Sequence, residues 1–117
     1  IVLSALLKLK NSSKEEVSVK IEQFSERRKA TQPPGASMGS MFKNPADDQA
    51  GRLIESAGLK GTRIGNAEIS TVHGNFFINH GETKAEDIRA LIHLVQRTVK
   101  EKFNVNLELE VELLGEW

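Results

Sequence analysis

Between positions 83 and 103, Ile88, Leu91, Ile92, Val95, Val99 and Phe103 recur every three or four residues, the spacing that gathers side chains on one face of an α-helix. A long helix with a single apolar stripe has to bury that stripe, and the flanking sequence says against what. Upstream, "AEIS" with Ile69 and "FFIN" with Phe76, Phe77 and Ile78 carry strand-favouring residues, with "GN" between them as a turn signal. Downstream, "VNLELEVELL" alternates strictly, Leu107, Leu109, Val111 and Leu113 on one face and Glu108, Glu110 and Glu112 on the other, as a half-buried strand does. Thr83 followed by Glu86 is a capping box that opens the helix.

The first half of the chain is read the same way. Leu7, Lys8, Leu9 and Lys10 alternate and predict a strand. Ser13 and Glu16 form a second capping box; Val17, Ile21 and Phe24 then recur at helical spacing, with Lys20, Glu22, Arg27 and Arg28 outside the stripe, to about Lys29. "TQPPGASMGS", with two prolines and two glycines, is expected to be an exposed loop. Ala50, Leu53, Ile54 and Ala57 predict a short helix stopped at Gly58, and "GLKGTRIGNA" reads as turns. The expected class is α+β, a small mixed sheet packed with helices in a single domain.

Composition narrows the function. The 117 residues fit one domain with a real core. Sixteen basic and sixteen acidic side chains give a formal net charge of zero, so no global field draws nucleic acid or an anionic membrane, and any anion site must be local. The chain has no cysteine, which removes disulfides and thiolate metal sites and fits a cytoplasmic protein. No apolar run approaches the ~20 residues of a membrane span. The opening "IVLSALLKLK" enters apolar sequence directly from Ile1, as expected of a piece preceded by more chain.

"GASMGSMFKNP" sets Ser40 between Gly39 and two bulky apolar residues. Serine disfavours helix interiors, and the glycine permits close backbone approach, so the stretch reads as a segment that holds a ligand. The plainer reading is a hydroxyl bonding its own turn. Ser40, His73 and Glu110 are the residue types of a hydrolase triad, but Met41 and Phe42 follow Ser40 where a nucleophile elbow needs its second glycine. "GLKGTRIG" lacks the Lys-Ser or Lys-Thr of a phosphate loop. His93 falls on the polar side of the long helix, His80 in a turn, and His73 beside the strand pair, where backbone hydrogen bonding is its expected role. Their spacing supports no zinc site.

Five segments, "GSMFKNP", "AGRLIESAGLKGTRIG", "EISTVHGNFFIN", "VQRTVKEKFNVNLE" and "EVELLG", taken in order resemble the C-terminal domain of the UDP-N-acetylenolpyruvoylglucosamine reductase family of peptidoglycan precursor synthesis. The resemblance runs from about Arg27 to Gly115. It implies an oxidoreductase in which NADPH reduces FAD and the flavin passes hydride to the enolpyruvyl group of the nucleotide sugar. It also implies a preceding flavin-binding part that holds most of the FAD, with residues 1–10 as that part's last strand and 11–117 as the substrate-binding domain. Ser40 maps onto the family's proton donor and Glu110 onto its catalytic glutamate, acting as a protonated acid or through water. Asn44 maps onto a diphosphate contact, with Lys43 able to add charge. A basic residue upstream also binds substrate in relatives; Arg27, Arg28 and Lys29 share that slot, Arg28 being the candidate named here. Glu112 stands where many relatives carry a basic residue. The absence of tyrosine matches the branch that lacks a tyrosine loop over the substrate. The alternative reading is a nucleotide-sugar-binding module without catalysis, and the chain by itself is expected to be inactive as a reductase.

Overall fold

The structure, a computed structural model, describes residues 2–115. By internal contacts the chain divides into two units, Ile1–Ala30 and Thr31–Trp117.

In the first unit, residues 2–13 form neither helix nor strand, so the alternation at Leu7, Lys8, Leu9 and Lys10 does not become one. A strand is defined by its ladder to a neighbour, and no pairing is recorded for this segment. Helix α1, Lys14–Thr31, starts as predicted, with the Glu16 N–H donating to Ser13 Oγ at 3.1 Å and Ser12 Oγ donating to Glu16 Oε2 at 2.6 Å. None of its residues is buried; Val17, Ile21 and Phe24 are exposed.

The second unit is the α+β fold. Four strands, β1 Ala36–Ser40, β2 Arg63–Ile64, β3 Ala67–Ile69 and β4 Phe76–Asn79, lie in the order β1-β4-β3-β2. Every pairing is antiparallel, where a mixed sheet was expected. Helices α2, Ala50–Ser56, and α3, Ala85–Phe103, complete it. The α3 stripe is the backbone of the core: Leu91, Ile92, Val95 and Val99 pack in one cluster with Leu53 and Ile54 of α2, Ile69 and Phe77 of the sheet, and Met41 and Phe42. Burying such side chains is worth roughly 1.5–3 kcal/mol each, so this cluster dominates the domain's stability.

Three further readings are corrected by the structure. The segment taken as an exposed loop contains β1: residues 36–40 pair with β4, with a register shift between Ser37 and Ser40. Gly39, at φ +83°, lies in that shift, a backbone conformation that favours glycine. Helix α3 begins one residue later than expected, with Lys84 as N-cap; the Lys84 N–H donates to Asp87 Oδ2 at 3.2 Å, so Asp87 takes the part assigned to Glu86. The terminal alternation fixes which side chains face inward, with Leu107 buried and Glu108, Glu110 and Glu112 exposed, yet it forms no strand beyond one bridge between Phe42 and Leu109. Its backbone hydrogen bonds run to the short stretch just past β1, between Lys43 and Glu108 and between Glu110 and Met41.

Candidate functional site

Ser40 closes β1 opposite Phe76 of β4 and is exposed. Immediately after it, Met41 and Phe42 turn into the core, and Phe42 meets Phe77 edge-to-face with ring centres 6.2 Å apart. Two buried anchors thus follow a surface hydroxyl, and they fix where it stands.

The run of residues 41–43 is bonded on both edges. On one, the Met41 N–H donates to the Asn75 carbonyl at 2.8 Å, and the Asn75 side chain accepts from the Phe42 N–H at 2.9 Å while donating to the Phe42 carbonyl at 2.8 Å. On the other, the Lys43 N–H donates to the Glu108 carbonyl and the Glu110 N–H donates to the Met41 carbonyl, both at 2.9 Å. Glu110 is therefore tied to the residue that follows Ser40. The structure brings these two candidates to one place from opposite ends of the domain.

Asn44 accepts the Ala50 N–H through Oδ1 at 3.1 Å. With its oxygen committed to the start of α2, the amide's orientation is set and its NH2 end is the part left to donate. Lys43 is exposed and ion-paired with Glu108 at 3.8 Å. It lines a separate concavity of about 320 Å³ with Asn44, Pro45 and Glu108. Asn44 borders both hollows; Lys43 does not reach the one beside Ser40. Arg28 belongs to α1, in the other unit.

The hollow beside Ser40 has a volume of about 380 Å³, with Asn44, Gly51, Arg52, His73 and Asn75 among its lining. Its floor exists because two glycines let α2 and the turn between β3 and β4 touch. A Cβ on Gly74 would stand 2.9 Å from the Gly51 carbonyl oxygen, and one on Gly51 would stand 2.8 Å from the His73 ring. Within that turn, Ser70 Oγ accepts the Val72 and His73 N–H groups, and His73 Nδ1 accepts the Asn75 N–H at 3.1 Å. Accepting through Nδ1 leaves the proton of the neutral ring on Nε2. The ring also packs edge-on against Phe76, with centres 4.9 Å apart.

Arg52 is held from below by Asp48, whose carboxylate accepts from both Nε and a terminal nitrogen of the guanidinium. That hydrogen bonding, with the Gln49 N–H adding to it, keeps the Asp48 carboxyl below its usual range, and Asp48 in turn raises Arg52. The hollow thus presents one oriented guanidinium, an amide NH2, an imidazole and a hydroxyl. With the Arg52 guanidinium already paired to Asp48 and the Glu55 carboxylate also in the lining, these groups are able to hydrogen-bond a polar ligand. Among the described residues no cluster of His, Asp and Glu could hold a metal ion, and no helix is long and apolar enough to cross a membrane.

Sequence reasoning singled out Ser40, Asn44 and Glu110, and all three lie along the run from 40 to 44 or are bonded to it. It passed over Arg52 and Asn75. Arg52 falls at i+4 from Asp48 on a short helix, a spacing that signals an ion pair. Asn75 was read only as half of a turn signal.

The profile of the family described as UDP-N-acetylenolpyruvoylglucosamine reductase, C-terminal domain, matches residues 30–114. Among similar curated proteins, the UDP-N-acetylenolpyruvoylglucosamine reductase of Caldicellulosiruptor bescii is 48% identical over 120 residues, covering 100% of this chain and 38% of its own length. That of Chloroflexus aurantiacus is 46% identical over 114 residues, covering 97% of this chain and 38% of its own. The crystal structure of the Thermus caldophilus reductase superposes with a TM-score of 0.75 at 45% identity, over 90% of this chain and 37% of that one. The chain therefore spans under two-fifths of the length of these relatives.

Proposed function

The chain belongs to the UDP-N-acetylenolpyruvoylglucosamine reductase family, through that family's C-terminal domain, and from this premise we propose that it forms the substrate side of a flavin-dependent reductase. The reaction is the NADPH-driven reduction of UDP-N-acetylglucosamine enolpyruvate to UDP-N-acetylmuramate, a cytoplasmic step of peptidoglycan precursor synthesis. Residues 1–10 are then the end of a preceding flavin-binding part, and 11–117 the substrate-binding domain. The residues present suit one edge of a flavin site: Ser40 is exposed, and nothing lies within 4 Å of where a Gly39 Cβ would be, so a planar ring has room to approach. When bound, FAD supplies the hydride.

What this chain's own residues do follows from their placement. Hydride addition at one carbon of the enolpyruvyl double bond leaves an electron pair on the other, next to the carboxylate. Ser40 Oγ–H gives that carbon its proton. A serine hydroxyl is a weak acid in water, but the acceptor is a strong base, and a donor held at about 3 Å avoids most of the entropic cost of encounter. Glu110, tied through Met41 to the same run, approaches the reacting carboxylate from the other side and polarises the electron-rich carbon as an acid or through water. Its side chain is exposed in this chain, so the desolvation such a role requires must come from closure against the flavin-binding part. The Asn44 NH2 and Arg52 donate to diphosphate oxygens, with Lys43 adding charge from outside the hollow.

The observation that carries this reading is Ser40 at the rim of a polar hollow, one residue from the backbone bond that holds Glu110. In the flavin-containing reductase, Ser40→Ala should leave NADPH-to-flavin reduction nearly unchanged. It should slow flavin reoxidation by the enolpyruvyl substrate by at least the ~10²-fold expected for loss of a general acid. Stopped-flow absorbance separates the phases, and equal loss in both would make Ser40 structural. The non-catalytic alternative predicts no substrate-dependent reoxidation in the unsubstituted protein.

A further inference from the structure

We infer that Asn75 is a positioning residue that sets the proton-donor geometry of Ser40 and Glu110. The inference rests on the roles proposed above for those two residues and adds a third residue that acts through them. Strand β4 begins at Phe76, so Asn75 lies one residue beyond the regular sheet. At the same level β1 has shifted register and ended, and the run from Met41 to Lys43 has left the ladder. The backbone can offer that run one bond, from the Met41 N–H to the Asn75 carbonyl. The next rung has no backbone partner on this side, and the Asn75 side chain supplies it, accepting from Phe42 N–H and donating to Phe42 C=O like a peptide group.

The bond pattern around this rung is asymmetric in what it serves. Asn75 is only 3% exposed, a place where an apolar residue would pack and where an amide is costly unless both its ends are satisfied. Both ends are spent on Phe42, and the opposite edge of the same three residues is spent on Glu108 and Glu110. Asn75 thus clamps the middle strand of a three-part arrangement: Ser40 leads into it, and Glu110 hangs from its far side. Without the side-chain rung, the run from 41 to 43 keeps its buried anchors and its three backbone bonds but loses both bonds that hold the Phe42 peptide groups on the Asn75 side. Ser40 and Glu110 then drift relative to one another, and misplacement on the scale of 1 Å can cost roughly 10²-fold in rate.

The test uses Asn75→Leu, which keeps the branched outline and removes both bonds, and Asn75→Asp, which keeps the acceptor and removes the donor, in the full flavin-containing reductase. NADPH-to-flavin reduction should stay within twofold of the parent. Reoxidation at saturating enolpyruvyl substrate should slow at least tenfold in Asn75→Leu and less in Asn75→Asp, with half-saturation moved less than threefold. Combined with Ser40→Ala, Asn75→Leu should add less slowing than it causes in the parent, because Ser40 is no longer there to be positioned and only the placement of Glu110 is still lost. Equal slowing of both phases, or effects that multiply in the double variant, would show a merely structural asparagine and overturn the proposal. If Asn75→Leu does not fold, Asn75→Asp decides alone: slowing confined to reoxidation supports the proposal, and a parent-like rate overturns it. Normal reoxidation in Ser40→Ala would fell the underlying assignment and this proposal together. Slow Ser40→Ala with parent-like Asn75 variants would fell this proposal only.

Discussion

Asn44 shows how one side chain can serve both fold and ligand. Its Oδ1 takes the first N–H of α2, which a seven-residue helix can ill spare to water, while the residue also lines the hollow beside Ser40. Asn44→Ala should therefore lower stability by about 1 kcal/mol, the usual cost of losing a side-chain partner at a helix start, and should weaken UDP-sugar binding as well. A thermal melt reads the first effect and a substrate titration the second. Unchanged stability would mean the Ala50 N–H finds another acceptor at no cost. At this scale the sequence was readable where chemistry dictates residue type: a lone hydroxyl after glycine, an amide four residues on. It was opaque for Asn75, because an asparagine after glycine is the ordinary mark of a turn. Only its burial, which no local pattern encodes, shows that the side chain replaces a rung of sheet.

Among the elements, α3 was legible because its stripe is long and its period unambiguous: of the six stripe residues Leu91, Ile92, Val95 and Val99 are buried and Ile88 partly so, while Phe103, in the last turn, is exposed. Strand β1 was hidden. "ASMGS" has little strand propensity, and it pairs because β4 offers an open edge and Gly39 absorbs the register shift. The mirror case is "VNLELEVELL", whose alternation is that of a strand and whose facing holds from Leu107 to Val111, with Leu113 exposed. The partner run is only three residues long, so a single bridge forms. The contact between α2 and the turn before β4 gives a test at this level. In Gly74→Ala, the new methyl would meet backbone at Gly51 and the Ile54 side chain at 3.3 Å, neither of which yields cheaply. We expect a loss of roughly 1–3 kcal/mol, as for overpacking a tight site, with the hollow beside Ser40 distorted and substrate affinity reduced. Parent-like melting by circular dichroism would mean that α2 can swing away freely.

Across the whole molecule, the proposed site residues gather in one unit. The hydroxyl, the amide and the carboxylate sit in the unit from Thr31 onward, and the chain covers 38% of the length of relatives that bear the reductase name. Sequence could show this division only through resemblance, since composition and periodicity describe a self-sufficient small domain. The central claim is that the substrate side is built into this domain while turnover is not. Titrating UDP-N-acetylglucosamine enolpyruvate into the chain, with amide shifts followed by NMR, tests it most directly. An open half-site lacks the contacts and water exclusion that closure brings, so affinity should be no tighter than about millimolar, near −4 kcal/mol. The shifts should centre on Ser40, Asn44, Asn75 and Glu110, and no product should form on adding NADPH. Micromolar binding, or shifts confined to the exposed side of α3 around His93 and Lys100, would contradict the account.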